Sequence, residues 1–212
     1  MKFINQGNIV LDIGGNIGFH ALYFSRLVGE KGKVYSFEPE KTNFEHLKHL
    51  TKKNKNVVLR PFAVGDKNKK IPFFISNVLN VQHQTYPSLD TVNKYLVRQV
   101  TLDKFFSNKK VDFVKIDIQG GEYLALKGMS KTIQKNPEIT IMMEMEPRIL
   151  DDRRLTPGKV FTFIRKLGLN IYVVQKGKLV SVNNSIINNY DTFKKFQSDT
   201  WLISRHKNLK FF

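Results

Sequence analysis

A glycine-rich turn follows the first apolar run of this 212-residue chain. The apolar run Ile9–Leu11 leads into residues Asp12–Gly18, which read Asp-Ile-Gly-Gly-Asn-Ile-Gly. Such a turn is typical of a ligand site, because glycine lets the backbone approach a bound molecule and the next helix points its N–H groups toward it. The dinucleotide fingerprint Gly-x-Gly-x-x-Gly does not fit, since its third and sixth positions, counted from Gly14, are Asn16 and Phe19.

Two carboxylates at the ends of the first two predicted strands indicate which cofactor this turn binds. Asp12 would repel a pyrophosphate, whereas it is compatible with the ammonium and sulfonium groups of S-adenosylmethionine. Glu38 follows Lys33–Phe37 and could accept hydrogen bonds from both hydroxyls of a ribose. We therefore predict S-adenosylmethionine as the cofactor, and an NAD-dependent oxidoreductase is the less favoured hypothesis. In the purely structural alternative, Asp12 caps its own turn and Glu38 is merely exposed.

A third carboxylate, Asp117, ends another apolar run and precedes the pair Gly120-Gly121. A hydroxyl acceptor of a methyl group is a poor nucleophile until a base accepts its proton, and Asp117 is our first candidate for that base. Its alternative role is to anchor the loop by accepting backbone N–H bonds. Lys115 lies on the same face of a regular strand, where it could pair with Asp117 or contact an anionic acceptor. Glu122 is expected to open the next helix, where a carboxylate favours the helix dipole.

Further polar residues could contact the acceptor, although each also fits an ordinary structural role. His20 is expected in the first turn of the helix after the glycine turn, and His83 in a long polar loop. Glu144 is expected near the end of a later strand. Together with Glu146 and Asp117 it offers oxygen ligands that suit magnesium, but a site without a metal is the preferred interpretation.

Strand and helix patterns alternate along the chain and would bring these residues to one edge of a sheet. The predicted strands are Ile9–Asp12, Lys33–Phe37, Val57–Leu59, Ile71–Ile75, Val111–Ile118, Ile139–Met145, Ile171–Val174, Leu179–Val182 and Trp201–Ser204. The predicted helices cover residues 17–28, a segment opened by the capping box Thr42 and Glu45, residues 122–133, and a segment from the N-cap Thr156 to Gly168. This order predicts an α/β fold with a mostly parallel, doubly wound sheet and an antiparallel C-terminal edge. Residues 76–99 are predicted to form a lid-like or flexible loop, and residues 206–212 a basic and aromatic tail.

Composition limits the class of protein. The hydrophobic fraction of 41% excludes wholesale disorder, and the absence of cysteine excludes disulfides, thiolate zinc sites and cysteine nucleophiles. With no signal peptide and no apolar window long enough to span a membrane, we expect one cytoplasmic domain over residues 1–212. Lys and Arg total 35 against 18 Asp and Glu, and this charge of +17 points to anionic partners such as nucleic acid, glycans or a membrane surface.

Four motifs, taken in order, resemble the FkbM family of S-adenosylmethionine-dependent methyltransferases. They are Val10–Gly18, Tyr35–Pro39, Ala63–Asp66 and Val111–Asp117 with Gly120 and Glu122. The resemblance implies a seven-stranded, Rossmann-like methyltransferase fold. It also implies that Asp12, Gly14, Asn16 and Gly18 line the methionine end of the cofactor, that Glu38 holds the ribose and that Asp66 lies near the adenine. The chain departs from the family in having Gln119 where a glutamate is common.

The resulting prediction is O-methylation of a hydroxyl on a sugar, glycan or secondary metabolite, with an acceptor that could be anionic. A nucleic-acid methyltransferase is the first alternative because of the charge. The block Asp117–Gly120 lacks the Asn-Pro-Pro-aromatic motif of base N-methylation, but RNA ribose methylation stays open. A binding module that kept the fold without activity is the second alternative, and the intact Asp12, Gly14 and Glu38 argue against it.

Overall fold

The computed structural model describes residues 3–76, 91–144, 156–175, 178–182 and 200–205. In chain order the strands are β1 (Ile9–Ile13), β2 (Lys33–Phe37), β3 (Val57–Arg60), β4 (Ala63–Val64), β5 (Lys69–Ser76), β6 (Thr91–Val100), β7 (Phe113–Ile116), β8 (Thr140–Glu144), β9 (Asn170–Gln175), β10 (Lys178–Ser181) and β11 (Thr200–Ser204). The helices are α1 (Phe19–Val28), α2 (Lys41–Thr51), α3 (Asp103–Phe106), α4 (Glu122–Lys127), α5 (Ser130–Lys135) and α6 (Pro157–Lys166).

The main sheet has eight strands in the order β10-β9-β11-β8-β7-β1-β2-β3. Strands β3, β2, β1, β7 and β8 are parallel, whereas β11 runs antiparallel to both β8 and β9. The predicted α/β fold with an antiparallel C-terminal edge is confirmed. The sheet has eight strands rather than seven, and β10 forms its edge as a hairpin partner of β9.

The central strands are buried on both faces, which is why they read as continuous apolar runs rather than alternating ones. On one face Val10 and Phe113 pack with Phe24 of α1. On the other, Leu11 and Val114 belong to the larger core cluster, which extends to α6 and β11. Neighbouring side chains of β1 therefore enter different cores, and the sheet is covered on both sides as predicted.

A second sheet has three strands in the order β4-β6-β5 and corrects the prediction for residues 76–99. Residues 91–99 are not a loop but belong to strand β6, which pairs antiparallel with β5 and parallel with β4, and Ser76 is the last residue of β5. Residues 77–90 of the predicted loop lie outside the described residues. The apolar signal of β6 is weak because its inward positions include Tyr95 and Gln99, while the outward residue Leu96 is exposed. His83 and the predicted tail 206–212 lie outside the described residues.

Two helix predictions are also corrected by local contacts. Glu40, not Thr42, caps α2, because its side chain accepts a hydrogen bond from the N–H of Asn43 at 2.6 Å. The helix predicted over 122–133 is broken into α4 and α5 at Gly128, where the N–H of Asp103 donates to the Gly128 carbonyl at 2.9 Å and the N–H of Thr132 donates to Oδ1 of Asp103 at 2.8 Å. The prediction for α6 is confirmed: Thr156 caps it and Pro157 begins it. Within the described ranges, no helix is long and apolar enough to cross a membrane.

Candidate active site

A cavity of about 290 Å³ opens where the strand order of the main sheet reverses between β1 and β7. In open α/β sheets this crevice, at the carboxyl ends of the strands, is where ligands bind. Its lining residues are Gly14, Asn16, Glu38, Pro39, Asn43, Ala63, Val64, Phe73, Gln99, Asp117, Ile118, Gln119, Gly121, Leu124 and Glu144. Three of them are carboxylates, so the cavity has an acidic wall inside a strongly basic protein.

The glycine turn packs directly against the residues that follow β7. Gly14 and Gly15 donate hydrogen bonds to the carbonyl of Phe37, at 3.0 and 2.9 Å, which fixes the turn to β2. Gly14 has φ +84°, and a Cβ at this position would collide with the carbonyl oxygen of Asp117. Only glycine therefore satisfies both the backbone conformation and the close approach of the two loops.

Glu38 joins the ends of β1 and β2. Its Oε2 accepts a hydrogen bond from the N–H of Asn16 and its Oε1 one from the N–H of Glu40, both at 2.8 Å. The side chain is 6% exposed and lines the cavity. Burial raises the pKa of Glu38 to about 7, although the two backbone bonds oppose the shift. The alternative in which Glu38 is merely an exposed residue is wrong.

Asp12 lies beneath the turn and is completely buried. The hydroxyl of Ser36 donates to its Oδ2 at 2.8 Å, while Oδ1 has no hydrogen-bond partner and stands 3.9 Å from the Nζ of Lys115. Burial raises the pKa of Asp12, and the ammonium of Lys115 and the bond from Ser36 act in the opposite direction. Asp12 is not among the residues that line the cavity; it is linked to the cavity wall by Lys115, which also forms an ion pair with Asp117.

Lys115 connects the two loops that meet at the cavity. Its side chain is 4% exposed, and its Nζ donates to Oδ2 of Asp117 at 3.0 Å and to the carbonyl of Gly14 at 3.4 Å. Gln119 donates to the other oxygen of Asp117 at 3.4 Å. The predicted pairing of Lys115 with Asp117 is present, and it holds the Asp117 carboxylate at the cavity wall with 26% of the side chain exposed.

Glu122 anchors the loop after β7, a role considered above for Asp117. Its Oε1 accepts the N–H groups of Ile118 at 3.2 Å and Gly120 at 3.0 Å. The carboxylate is buried, and burial raises its pKa against the effect of these bonds. Because Glu122 holds the loop backbone, the carboxylate of Asp117 is left to side-chain partners and to a ligand.

Of the other predicted site residues, some line the cavity, whereas Gly18 and Asp66 are not among its lining residues. Glu144 lines it, together with Asn16. Gly18, with φ +102°, packs against Leu47 of α2. Asp66 forms an ion pair with Lys127 of α4 at 3.2 Å.

His20 interacts electrostatically with the group formed by Asp12, Lys115 and Asp117. Partial burial and the Lys115 ammonium lower the pKa of His20, and the two carboxylates oppose that shift. Glu146, named above as a possible metal ligand, lies outside the described residues. Within the described part of the chain, no group of three or more His, Asp or Glu side chains is arranged to hold a metal ion.

Comparison with known proteins decides the family. Residues 12–171 match the methyltransferase FkbM domain. The chain belongs to the FkbM methyltransferase family. It is 24% identical over 169 residues to the hexuronic acid methyltransferase AglP of Haloferax volcanii, a match that spans 76% of this chain and 67% of AglP.

Solved structures share the fold of this FkbM domain. A proposed rRNA methylase from Clostridium thermocellum superimposes with a TM-score of 0.53 at 17% identity, over 96% of this chain and 89% of that one. A proposed methyltransferase from Streptococcus mutans, solved in complex with SAH, gives a TM-score of 0.53 at 12% identity, over 95% and 90% of the two chains. At these identities the likeness establishes the methyltransferase fold.

Sequence reasoning missed one wall of the cavity in this FkbM domain. The second sheet contributes Ala63, Val64, Phe73 and Gln99 to the lining. A signal was present in the order Tyr95-Leu96-Val97-Arg98-Gln99, where every second residue could face inward along a strand. The pattern is short and its last inward residue is polar, so it does not stand out from a loop.

Proposed function

We propose that this protein is an S-adenosylmethionine-dependent O-methyltransferase that acts on a sugar hydroxyl. The observation that carries the proposal is the acidic wall of the cavity, where Glu38, Asp117 and Glu144 face a ligand space bounded by the glycine turn. Carboxylates favour a cationic cofactor, and one of them can also accept a proton. Membership of the FkbM methyltransferase family supports the same reaction class.

The residues present fit S-adenosylmethionine. Glu38 lines the cavity, and each of its carboxylate oxygens accepts one backbone N–H bond, which leaves acceptor capacity for ribose hydroxyls. Gly14 and Asn16 present backbone at the wall, and Val64, Phe73 and other apolar side chains offer a surface for a heteroaromatic base. When bound, the cofactor supplies a methyl group activated by the sulfonium and leaves as a neutral thioether.

Within this site the protein aligns the acceptor and removes its proton. Asp117 stands at the wall and is our candidate for the base that takes the hydroxyl proton. Lys115 and Gln119 bind its two oxygens and hold the carboxylate in one orientation. Alignment of the reacting atoms and exclusion of water supply the rest of the acceleration.

A sugar carrying a negative charge is the acceptor class that we favour. The relative AglP is a hexuronic acid methyltransferase, and hexuronic acids are sugars that carry a carboxylate. The net charge of +17 on this chain would attract such an anion over a range set by the ionic strength. RNA is the competing anionic acceptor, suggested by the same charge.

Two measurements test the proposal. Calorimetry with S-adenosylmethionine and S-adenosylhomocysteine should give saturable binding at one site. Incubation with methyl-labelled cofactor should then transfer label to oligosaccharides that contain uronic acid. A folded protein that binds neither cofactor would contradict the proposal, and transfer to RNA rather than to saccharide would replace it with the nucleic-acid alternative.

A further inference from the structure

Gln99 is a buried amide in the wall that the second sheet contributes to the cavity. Its side chain is 4% exposed, and β6 holds its backbone between two neighbours, since Gln99 pairs with Ala63 of β4 and with Lys69 of β5. The other members of this wall, such as Val64 and Phe73, are apolar. A single amide in an otherwise apolar wall is typical of a site that forms a hydrogen bond with one polar edge of a ligand.

Two contacts fix the direction of this amide. Its Nε2 donates to the carbonyl oxygen of Lys67 at 2.9 Å. The amide also lies against Gly65 so closely that a Cβ at that position would meet all three of its end atoms. With Nε2 committed to Lys67, Oε1 is the amide atom left to accept a hydrogen bond from a ligand.

Asp66, implied by the family resemblance to lie near the adenine, is engaged elsewhere. Its carboxylate pairs with the Nζ of Lys127 on α4 at 3.2 Å. Within the motif Ala63–Asp66, Ala63 and Val64 therefore line the cavity. Gly65 has no side chain, which leaves space for the amide of Gln99. The polar group that this region presents to the cavity belongs to β6.

We infer that Gln99 recognises the adenine of the cofactor, its Oε1 accepting a hydrogen bond from the exocyclic amine. The inference rests on the proposed function, because it assumes that the cavity holds S-adenosylmethionine. Adenine offers one planar apolar ring and an amine donor at its edge, which match the apolar wall and its one fixed acceptor. A base with a carbonyl in place of the amine would set two acceptors against each other.

The test compares two ligands that differ only at that edge. S-adenosylhomocysteine and S-inosylhomocysteine, which carries a carbonyl in place of the amine, are titrated calorimetrically into the full chain. We expect the wild type to bind the adenine compound about tenfold or more tightly, as a site built to pair one polar group rejects its analogue. In Gln99→Met the preference should fall to within about twofold, while Asp66→Asn should keep the wild-type preference.

A second variant keeps the inference testable if Gln99→Met does not fold. Gly65 has no left-handed φ, so Gly65→Ala leaves the backbone unstrained and displaces the flexible end of Gln99. It should reduce the preference for adenine as Gln99→Met does. Unchanged preference in a folded Gln99→Met or Gly65→Ala protein, or its loss in Asp66→Asn, would overturn the inference.

Failure of the inference and failure of the proposed function give different results. If the folded wild type binds both compounds equally, Gln99 does not recognise the base, and the methyltransferase proposal is unaffected. Binding of neither compound rejects the proposed function and the inference together.

Discussion

At the scale of single residues, the site depends on a buried ammonium between two carboxylates. Lys115 stands 3.0 Å from Asp117 and 3.9 Å from Asp12, and it also reaches the backbone of the glycine turn. Removing one partner from such a group leaves an uncompensated buried charge, which is costly. The charge on Lys115 is therefore a structural requirement, and Asp117 is the member that can be neutralised with the least effect on the fold because it is the most exposed.

Asp117→Asn should keep the affinity for S-adenosylhomocysteine within a few-fold and reduce turnover by about 10²-fold or more, because general base catalysis typically contributes 10²- to 10⁴-fold. Binding by calorimetry and methyl transfer with labelled cofactor measure the two effects. Asp112→Asn is the matched control, because it neutralises a carboxylate that precedes β7, pairs with Lys110 at 2.7 Å and does not line the cavity; it should retain far more turnover. Full turnover in Asp117→Asn would show that the carboxylate only positions neighbouring groups.

The raised pKa of Glu38 predicts a pH dependence of cofactor binding. In the complex we propose, the carboxylate form of Glu38 would accept hydrogen bonds from both ribose hydroxyls, whereas the protonated form has less acceptor capacity. Since the pKa of Glu38 is raised to about 7, affinity for S-adenosylhomocysteine should fall as the pH is lowered through 7, by at most about tenfold per pH unit. Calorimetry between pH 5.5 and 8.5 would measure this, and Glu38→Gln should bind more weakly with a flat profile. A sloping profile in Glu38→Gln would assign the titration to another group, such as His20.

At the scale of elements, the close approach of the glycine turn to the loop after β7 defines the floor of the cavity. Gly7 and Gly14 both have φ +84°, but a Cβ on Gly7 meets nothing within 4 Å, whereas one on Gly14 meets the Asp117 carbonyl. Gly7→Ala should therefore cost only the backbone strain, about 1–2 kcal/mol of unfolding free energy.

Gly14→Ala should cost clearly more than Gly7→Ala, because the collision with a backbone carbonyl is added to the same strain. It should also abolish measurable binding of S-adenosylhomocysteine, since the two loops must separate. Urea unfolding of both variants and calorimetry give the comparison. Equal unfolding free energies for the two variants would mean that the loops separate at no cost.

The hydrophobic pattern of the sequence was sufficient to predict some of these elements but not others. The parallel strands β1 and β7 were predicted because both their faces are buried and their runs are mainly apolar, interrupted only by Asp12 and Lys115. Strand β6 was missed because one face is exposed and its inward side includes Gln99. A helix predicted across Gly128 is broken there because Asp103, distant in sequence, binds the Gly128 carbonyl and the Thr132 N–H, which would otherwise pair with each other.

At the scale of the whole molecule, the charge of +17 is separated from the acidic site. The lysine pairs Lys52-Lys53, Lys69-Lys70 and Lys109-Lys110 are all exposed. Lys69 and Lys70 open β5, and the other two pairs lie in connections between elements. The cavity wall carries Glu38 and Asp117 instead.

This separation predicts that RNA is bound as a polyanion and not used as the methyl acceptor. Affinity for a mixed-sequence RNA, measured by fluorescence anisotropy, should fall steeply with salt, as expected for contacts to phosphates alone. Excess RNA should leave methyl transfer to saccharide largely unchanged at 0.2 M salt. Label transferred to RNA would instead favour the nucleic-acid hypothesis.

The sequence by itself determined the family, the α/β fold and the residues placed at the ends of the parallel strands. These follow from local information, since apolar runs, glycine turns and motif order are all read along short stretches. Only the tertiary structure decided which side chains form hydrogen bonds with which groups. The hydrogen bonds from Lys115 to Gly14 and from Gln99 to Lys67 span 101 and 32 residues. It also assigned the loop anchor to Glu122 rather than Asp117, and the polar group of the second wall to Gln99, because packing, not sequence order, sets hydrogen-bond partners over such separations.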